Sequence, residues 1–230
     1  MDMKIIENKK IFAFDGANEC VAEVEDGETL IFRTHDCFDD QLSEEGSTIG
    51  SLNWDCINPA TGPVYVKNAL PGDVLKVEIL EITLGKQGVM CALPNNGVLG
   101  SLVKEESVKR LKVENGKVHF NEKIVFDTNT MIGVIGVAPE NGAINCGTPG
   151  NHGGNMDNKR ITEGATLYFP IFHKGAIFSL GDVHAAMGDG EIMVSGVEIA
   201  ADVKVRLSVI KCSSIETPML ENEDSCGVIY

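Results

Sequence analysis

The chain is short of positive charge, of aromatic residues and of long apolar runs, and each shortage excludes something. Only 19 Lys and Arg stand against 34 Asp and Glu in 230 residues, a net charge of -15. Phosphate backbones bind basic surfaces, so nucleic acid is excluded as a partner. Aromatic residues make up 6% of the chain, with a single tryptophan, Trp54, which is expected to cover the core. The longest strongly apolar run, near Met131 to Ala138, falls far below the ~20 residues of a membrane span. The opening Met-Asp-Met-Lys-Ile-Ile-Glu-Asn-Lys-Lys lacks the apolar stretch of a secretory leader. The seven cysteines are odd in number, scattered and never spaced Cys-x-x-Cys. That excludes a structural zinc knuckle and fits reduced thiols in a cytoplasm better than a disulfide frame.

What is present is apolar alternation and glycine. Apolar residues make up 43% of the chain and there are 25 glycines. Leu75, Val77 and Ile79 alternate with Lys76 and Glu78, and Val203, Val205, Leu207 and Val209 alternate with Lys204, Arg206 and Ser208. Period two is the signature of a half-buried strand. Asn115-Gly116 predicts a hairpin turn within 112–120, and Phe172-His-Lys-Gly175 a second hairpin joining 168–171 to 176–180. Pro71-Gly72-Asp73 is turn chemistry ahead of a strand. Helix signals are few: two turns over 104–111 and one over 157–163. The expected fold is mainly β, sandwich- or barrel-like, with a small β insertion and very little helix. The insertion is expected at 85–129, inside a discontinuous main domain formed by 1–84 plus 130–212. Residues 213–230 read as a truncated C-terminal segment ending in a strand that needs a partner.

The chemistry concentrates in Gly181-Asp-Val-His-Ala-Ala-Met-Gly-Asp-Gly-Glu191. Asp182 and His184 are two apart, as are Asp189 and Glu191, and in extended backbone that spacing points both side chains to one side. Carboxylates so crowded repel one another unless a cation or a shared proton offsets them. A second cluster, Gly147-Thr-Pro-Gly-Asn-His152-Gly-Gly-Asn155-Met-Asp157-Asn-Lys159, sets a histidine and an aspartate around a glycine bend. Asn155 and Asp157 there are either ligand-binding or turn-forming residues. Thr34-His35-Asp36-Cys37-Phe38 adds a third set of polar groups. His119 and His173 are expected at the surface.

These segments, with Asn58-Pro-Ala-Thr-Gly-Pro63, Gly133-Val-Ile-Gly-Val-Ala-Pro139 and Gly164-Ala-Thr-Leu-Tyr-Phe-Pro170, resemble the acetamidase/formamidase family in identity and order from about residue 32 to 211. The resemblance implies a β-rich fold, metal-assisted hydrolysis of small aliphatic amides and a homo-oligomer, commonly a dimer. Asp36, His152, Asp157, Asp182, His184, Asp189 and Glu191 match positions of the family pattern. Family members usually continue beyond the point where this sequence stops.

A site of this composition suits a divalent metal, zinc first, since histidine and carboxylate ligands fit it. Such a metal lowers the pKa of bound water to ~7 and polarises a carbonyl. Asp182 and His184 are the expected core ligands, with Asp36 and Asp189 also assigned to metal and calcium as a second, harder ion. Glu191 or Glu140 would act as general base and then acid. His152 would donate to the oxyanion or bind the metal, and Asn155 and Asp157 would bind substrate. Ala185 and Ala186 are expected to leave room for a short acyl group only. Three alternatives stay open: a cysteine nucleophile at Cys37 or, next, Cys146; an inactive truncated member that only binds metal or small molecules; and a cupin-like metal enzyme of other chemistry.

Overall fold

The computed structural model describes residues 3–229. Its strands, in chain order, begin with β1 (Lys4–Ile6), β2 (Lys10–Ile11), β3 (Ala13–Phe14), β4 (Ala22–Val24), β5 (Glu28–Thr34) and β6 (Ala60–Val66). Next come β7 (Val74–Ala92), β8 (Ser107–Glu114), β9 (Lys117–His119), β10 (Val125–Asp127), β11 (Met131–Gly136) and β12 (Ile144–Asn145). The chain then runs through β13 (Gly153–Asn155), β14 (Thr166–Pro170), β15 (Phe178–His184), β16 (Glu198–Ile210), β17 (Met219–Glu221) and β18 (Cys226–Val228). Three single-turn 3-10 helices are the only helical elements among the described residues. The fold is mainly β, and its strands do not close into a barrel.

Two long strands organise the rest. The 19 residues of β7 and the 13 of β16 pair antiparallel over most of their length, with register shifts at Ile199/Ala201 and Lys204/Val205. On its other edge β7 pairs with β14 near its start and with β8 near its end. One strand with different partners along one edge belongs to a strongly coiled sheet. The alternation read in the sequence sets its burial: Leu75, Val77, Ile79, Val203, Val205 and Leu207 are all buried in the main core. Each such side chain contributes roughly 1.5–3 kcal/mol when taken out of water.

The Asn115-Gly116 hairpin forms, joining β8 to β9 with Glu114 opposite Lys117, and both turn residues take positive φ (52° and 70°). Several local expectations are overruled. Residues 107–111 are strand rather than helix, because the free edge of β7 offers partners for Ser107 through Lys112. The 157–163 stretch forms turns, starting from Asp157 at φ 39°. β14 and β15 do not make a hairpin: β14 pairs with β7 and β17, while β15 lies between β11 on one side and β6 and β16 on the other. Trp54 is 59% exposed and caps no core. His173 is partly buried, its Nε2 2.8 Å from the Pro139 carbonyl oxygen. The final strand, β18, pairs with β17.

Candidate active site

The site forms where β15 ends. Antiparallel register with β11 sets Met131 opposite His184 and Val134 opposite Gly181, which places Gly133 across from Asp182. On the other edge of β15, His184 is the direct partner of Glu198, the first residue of β16. β13 adds Asn155 beside Val134, and the chain then turns to bring in Asp157. The β5–β6 connection supplies Asp36 and Cys37. Segments distant in sequence thus deliver Asp36, Cys37, Asn155, Asp157, Asp182, His184, Glu191 and Glu198 to one region.

The absence of side chains on two glycines makes this convergence possible. A Cβ on Gly133 would overlap Asp182 Oδ2, lie 2.6 Å from Asp157 Oδ1 and 3.0 Å from Asn155 Oδ1. A Cβ on Gly196 would lie 2.7 Å from His184 Nδ1. Three oxygens and an imidazole occupy the room these positions leave. Asp182 itself sits at φ 53°, a conformation that costs a non-glycine residue energy and recurs at functional sites.

His184 Nε2–H donates to Asp182 Oδ1 at 3.3 Å, and Glu198 Oε2 lies 2.9 Å from the same nitrogen. Glu198 Oε1 accepts the Gly196 N–H at 2.7 Å. All three residues are at most 2% exposed. Burial opposes charge on the His184 ring, but Glu198 and Asp182 outweigh it and hold its pKa well above the ordinary value. Burial raises the Asp182 carboxyl, and His184 pulls it back. Glu191, at φ 37°, is pushed up to about 8 by burial and then by Asp157 and Glu198. Asp157 rises to about 6 by burial and the Asp182 charge. Four carboxylates around one imidazole form a pocket short of positive charge.

Three sets of donor atoms lie within 4.8 Å of one another: Asp157–Asp182–His184, His184–Glu191–Glu198 and Cys37–Asp182–Glu198. Asn155 Oδ1, Asp157 Oδ1 and His184 Nδ1 are buried with no hydrogen-bond partner among the described residues. Buried polar atoms rarely stay unpaired unless something absent completes them. The donor set of carboxylate oxygens, imidazole nitrogen and one thiol fits a divalent cation such as zinc.

The other sequence candidates land in different places. Asp36 is buried and near Glu198, with its pKa raised to about 7 chiefly by burial, but its Oδ1 accepts the backbone N–H groups of Phe38 and Asp40 at 2.9 Å. It belongs to none of the three donor sets and shapes the loop that presents Cys37. Asp189 does not join the cluster: it is exposed and paired to Lys159 at 2.7 Å. Glu140 is also exposed and takes no part. His152 is fully buried, edge-on to Phe14 at 5.3 Å, with both ring nitrogens unpartnered among the described residues and its pKa lowered to about 4 by burial. Cys37 is inside, yet burial and then Glu198 and Asp182 push its thiol well up, the reverse of what a thiolate nucleophile needs. His35 points elsewhere, to Asp40 at 2.6 Å. Cys146 packs in an apolar cluster with Ile11, Phe14, Ala60 and Val134. None of the seven cysteines is bridged.

Glu198 is the member that sequence reasoning missed. The available signal was a glutamate one residue from Val197 and Ile199 at the head of an otherwise regular alternating strand. It alternates with the core residues Val197 and Ile199 and meets His184 of the neighbouring strand β15.

The model of the Acetamidase/Formamidase family matches residues 14–146 and 141–226. The structure is similar to that of an acetamidase from Bacillus halodurans, with a TM-score of 0.92 and 44% identity over 95% of this chain and 75% of that one. It is also similar to that of a predicted acetamidase/formamidase from Thermoanaerobacter tengcongensis, with a TM-score of 0.93 and 46% identity over 96% of this chain and 74% of that one. A formamidase of Methylophilus methylotrophus is 42% identical over 64 residues, which span 27% of this chain and 16% of that protein.

Proposed function

The chain belongs to the acetamidase/formamidase family, and from that premise we propose that the buried acidic pocket hydrolyses a linear carboxamide to a carboxylate and ammonia. The observation that carries this reading is the convergence of Asp157, Asp182, His184, Glu191 and Glu198 from separate segments, with oxygen atoms left unpartnered over Gly133. Internal ion pairing alone would not gather so many carboxylates around one histidine, because each unpaired buried charge costs several kcal/mol in order of magnitude.

Asp157, Asp182 and His184 would hold a divalent metal, zinc by its donor set, with Glu198 fixing the His184 ring from the neighbouring strand. When bound, that ion supplies a water acidic enough to ionise near neutrality and polarises the amide carbonyl. Everything else falls to the chain. Glu191, with a pKa near 8, exchanges protons around neutral pH: its ionised form takes a proton from the attacking water, and its protonated form delivers one to the departing nitrogen. Asn155 Oδ1 accepts a hydrogen bond from the substrate NH2, which turns the carbonyl carbon toward the acidic wall. Burial of the pocket excludes bulk water, so each of these dipoles acts at low dielectric.

Ammonia release from formamide and acetamide, the substrates named for the relatives, tests the reading in the presence and absence of chelator. Turnover lost on chelation and restored by zinc is expected. Turnover that survives exhaustive chelation removes the metal from the mechanism. No turnover with any divalent cation removes amide hydrolysis and leaves the chain as a binding protein.

A further inference from the structure

A cavity of about 470 Å³ lies against the acidic cluster, and it is apolar. Met90, Phe126, Met187, Ile192, Met193 and Val197 supply most of its wall. One cluster residue, Glu191, also lines it. Gly196 lines it too: its N–H donates to Glu198 Oε1, and a Cβ there would lie 2.7 Å from His184 Nδ1. Glu191 therefore belongs both to the cavity wall and to the donor set it forms with His184 and Glu198. Ala186, expected from the sequence to limit the acyl group, instead lines this space as one of its smaller residues.

A volume of this size falls in the range of ~300–1,000 Å³ that accommodates drug-sized ligands. Formamide and acetamide, with a few heavy atoms each, would leave most of it filled with water against thioether and aromatic surface. Methionines line irregular sites that must follow the shape of flexible apolar ligands. Asp189, the charged residue at the rim, is neutralised by Lys159 and does not repel an apolar tail. We infer that the substrates of this chain are primary amides with an apolar acyl chain longer than acetyl, the carboxamide reaching Glu191 and the tail lying on Met90, Phe126, Met187 and Met193. This inference rests on the amide-hydrolase reading of the same site.

The test is a series of straight-chain primary amides from formamide to octanamide, assayed by ammonia release with the zinc-loaded protein. Binding of the same amides is measured separately by calorimetry. Each methylene that enters an apolar pocket is worth roughly tenfold in specificity or more, so kcat/KM should rise at least about tenfold from acetamide to hexanamide. Replacing Ala186 by leucine should cut the hexanamide-to-acetamide ratio by about the same factor. A kcat/KM that falls steadily beyond acetamide, with hexanamide neither bound nor inhibitory, overturns the inference and leaves amide hydrolysis standing. If no amide is hydrolysed, hydrolysis fails by itself, and calorimetry still decides the pocket: hexanamide binding lost in Ala186→Leu supports it, and no binding ends it. Should Ala186→Leu not fold, the chain-length series on the unaltered protein remains decisive.

Discussion

The two halves of the 181–191 stretch obey different rules. In the strand half, Asp182 and His184 are two residues apart and both are buried, 2% and 1% exposed, pointing into one pocket. In the loop half, Asp189 and Glu191 have the same spacing and part company: Asp189 turns outward to Lys159, while Glu191 turns inward to His184 and Glu198. The strand half is held by ladder hydrogen bonds from β11 and β16, which keep Asp182 and His184 on one side even though Asp182 takes φ 53°. The loop half has no ladder. It runs through positive φ at Gly190, Glu191 and Val194, so spacing in sequence no longer says which way a side chain faces.

The sharpest break of that comparison is His184→Ala. It should lower kcat/KM for acetamide by about 10³-fold or more, since general-base and ligand losses of this kind reach ~10²–10⁴. Circular dichroism of the variant should stay that of a β protein, and activity within tenfold of the parent would remove His184 from the chemistry. Glu191→Gln comes next, with a loss of roughly 10²-fold in kcat and little change in KM. A pH–rate profile that keeps its limb near pH 8 in this variant would show that another group titrates there.

A third prediction contrasts the two buried histidines. His184 has carboxylate partners, whereas His152 has none among the described residues, and burial lowers its pKa to about 4 from the ordinary 6.5. The unfolded chain takes up this proton below about 6.5 and the folded chain only below about 4, so the folded state loses stability as pH falls through that window. Above it the ring is neutral in both states and has no effect. The loss approaches about 3 kcal/mol at its lower end. Urea midpoints measured from pH 7 to 4 should fall less steeply in His152→Gln, and parallel slopes would show that His152 is not buried as a neutral ring. The smallest effect belongs to Asp189→Asn. An exposed pair contributes at most about 1 kcal/mol, so turnover of acetamide and the melting temperature should both move little. A tenfold drop in kcat/KM would bring Asp189 into the site after all.

Legibility in the sequence followed the same division. The alternating strands at 75–79 and 203–209 and the Asn115-Gly116 turn were readable because local residue order alone fixes their burial and handedness. Asp157, Asp182, His184 and Glu191 were readable as candidate groups, since their clustering and their match to the family pattern lie in the sequence itself. The strand at 107–114 was not. Its charged start looks helical until the open edge of β7 offers hydrogen bonds that a short isolated helix cannot match. Trp54 was misjudged because exposure depends on what covers a loop, which no neighbouring residue reveals.

By itself, the amino-acid order determined that this is a β protein and that acidic and imidazole groups crowd a few of its segments, because both follow from side-chain type and spacing. Only the tertiary structure decided which of those groups meet. It brought Glu198 to His184 across two strands, sent Asp189 to solvent, and set Gly133 and Gly196 against three oxygens and a ring that share the space. Pairing register and backbone handedness in the loops settle these outcomes, and both depend on partners far away along the chain.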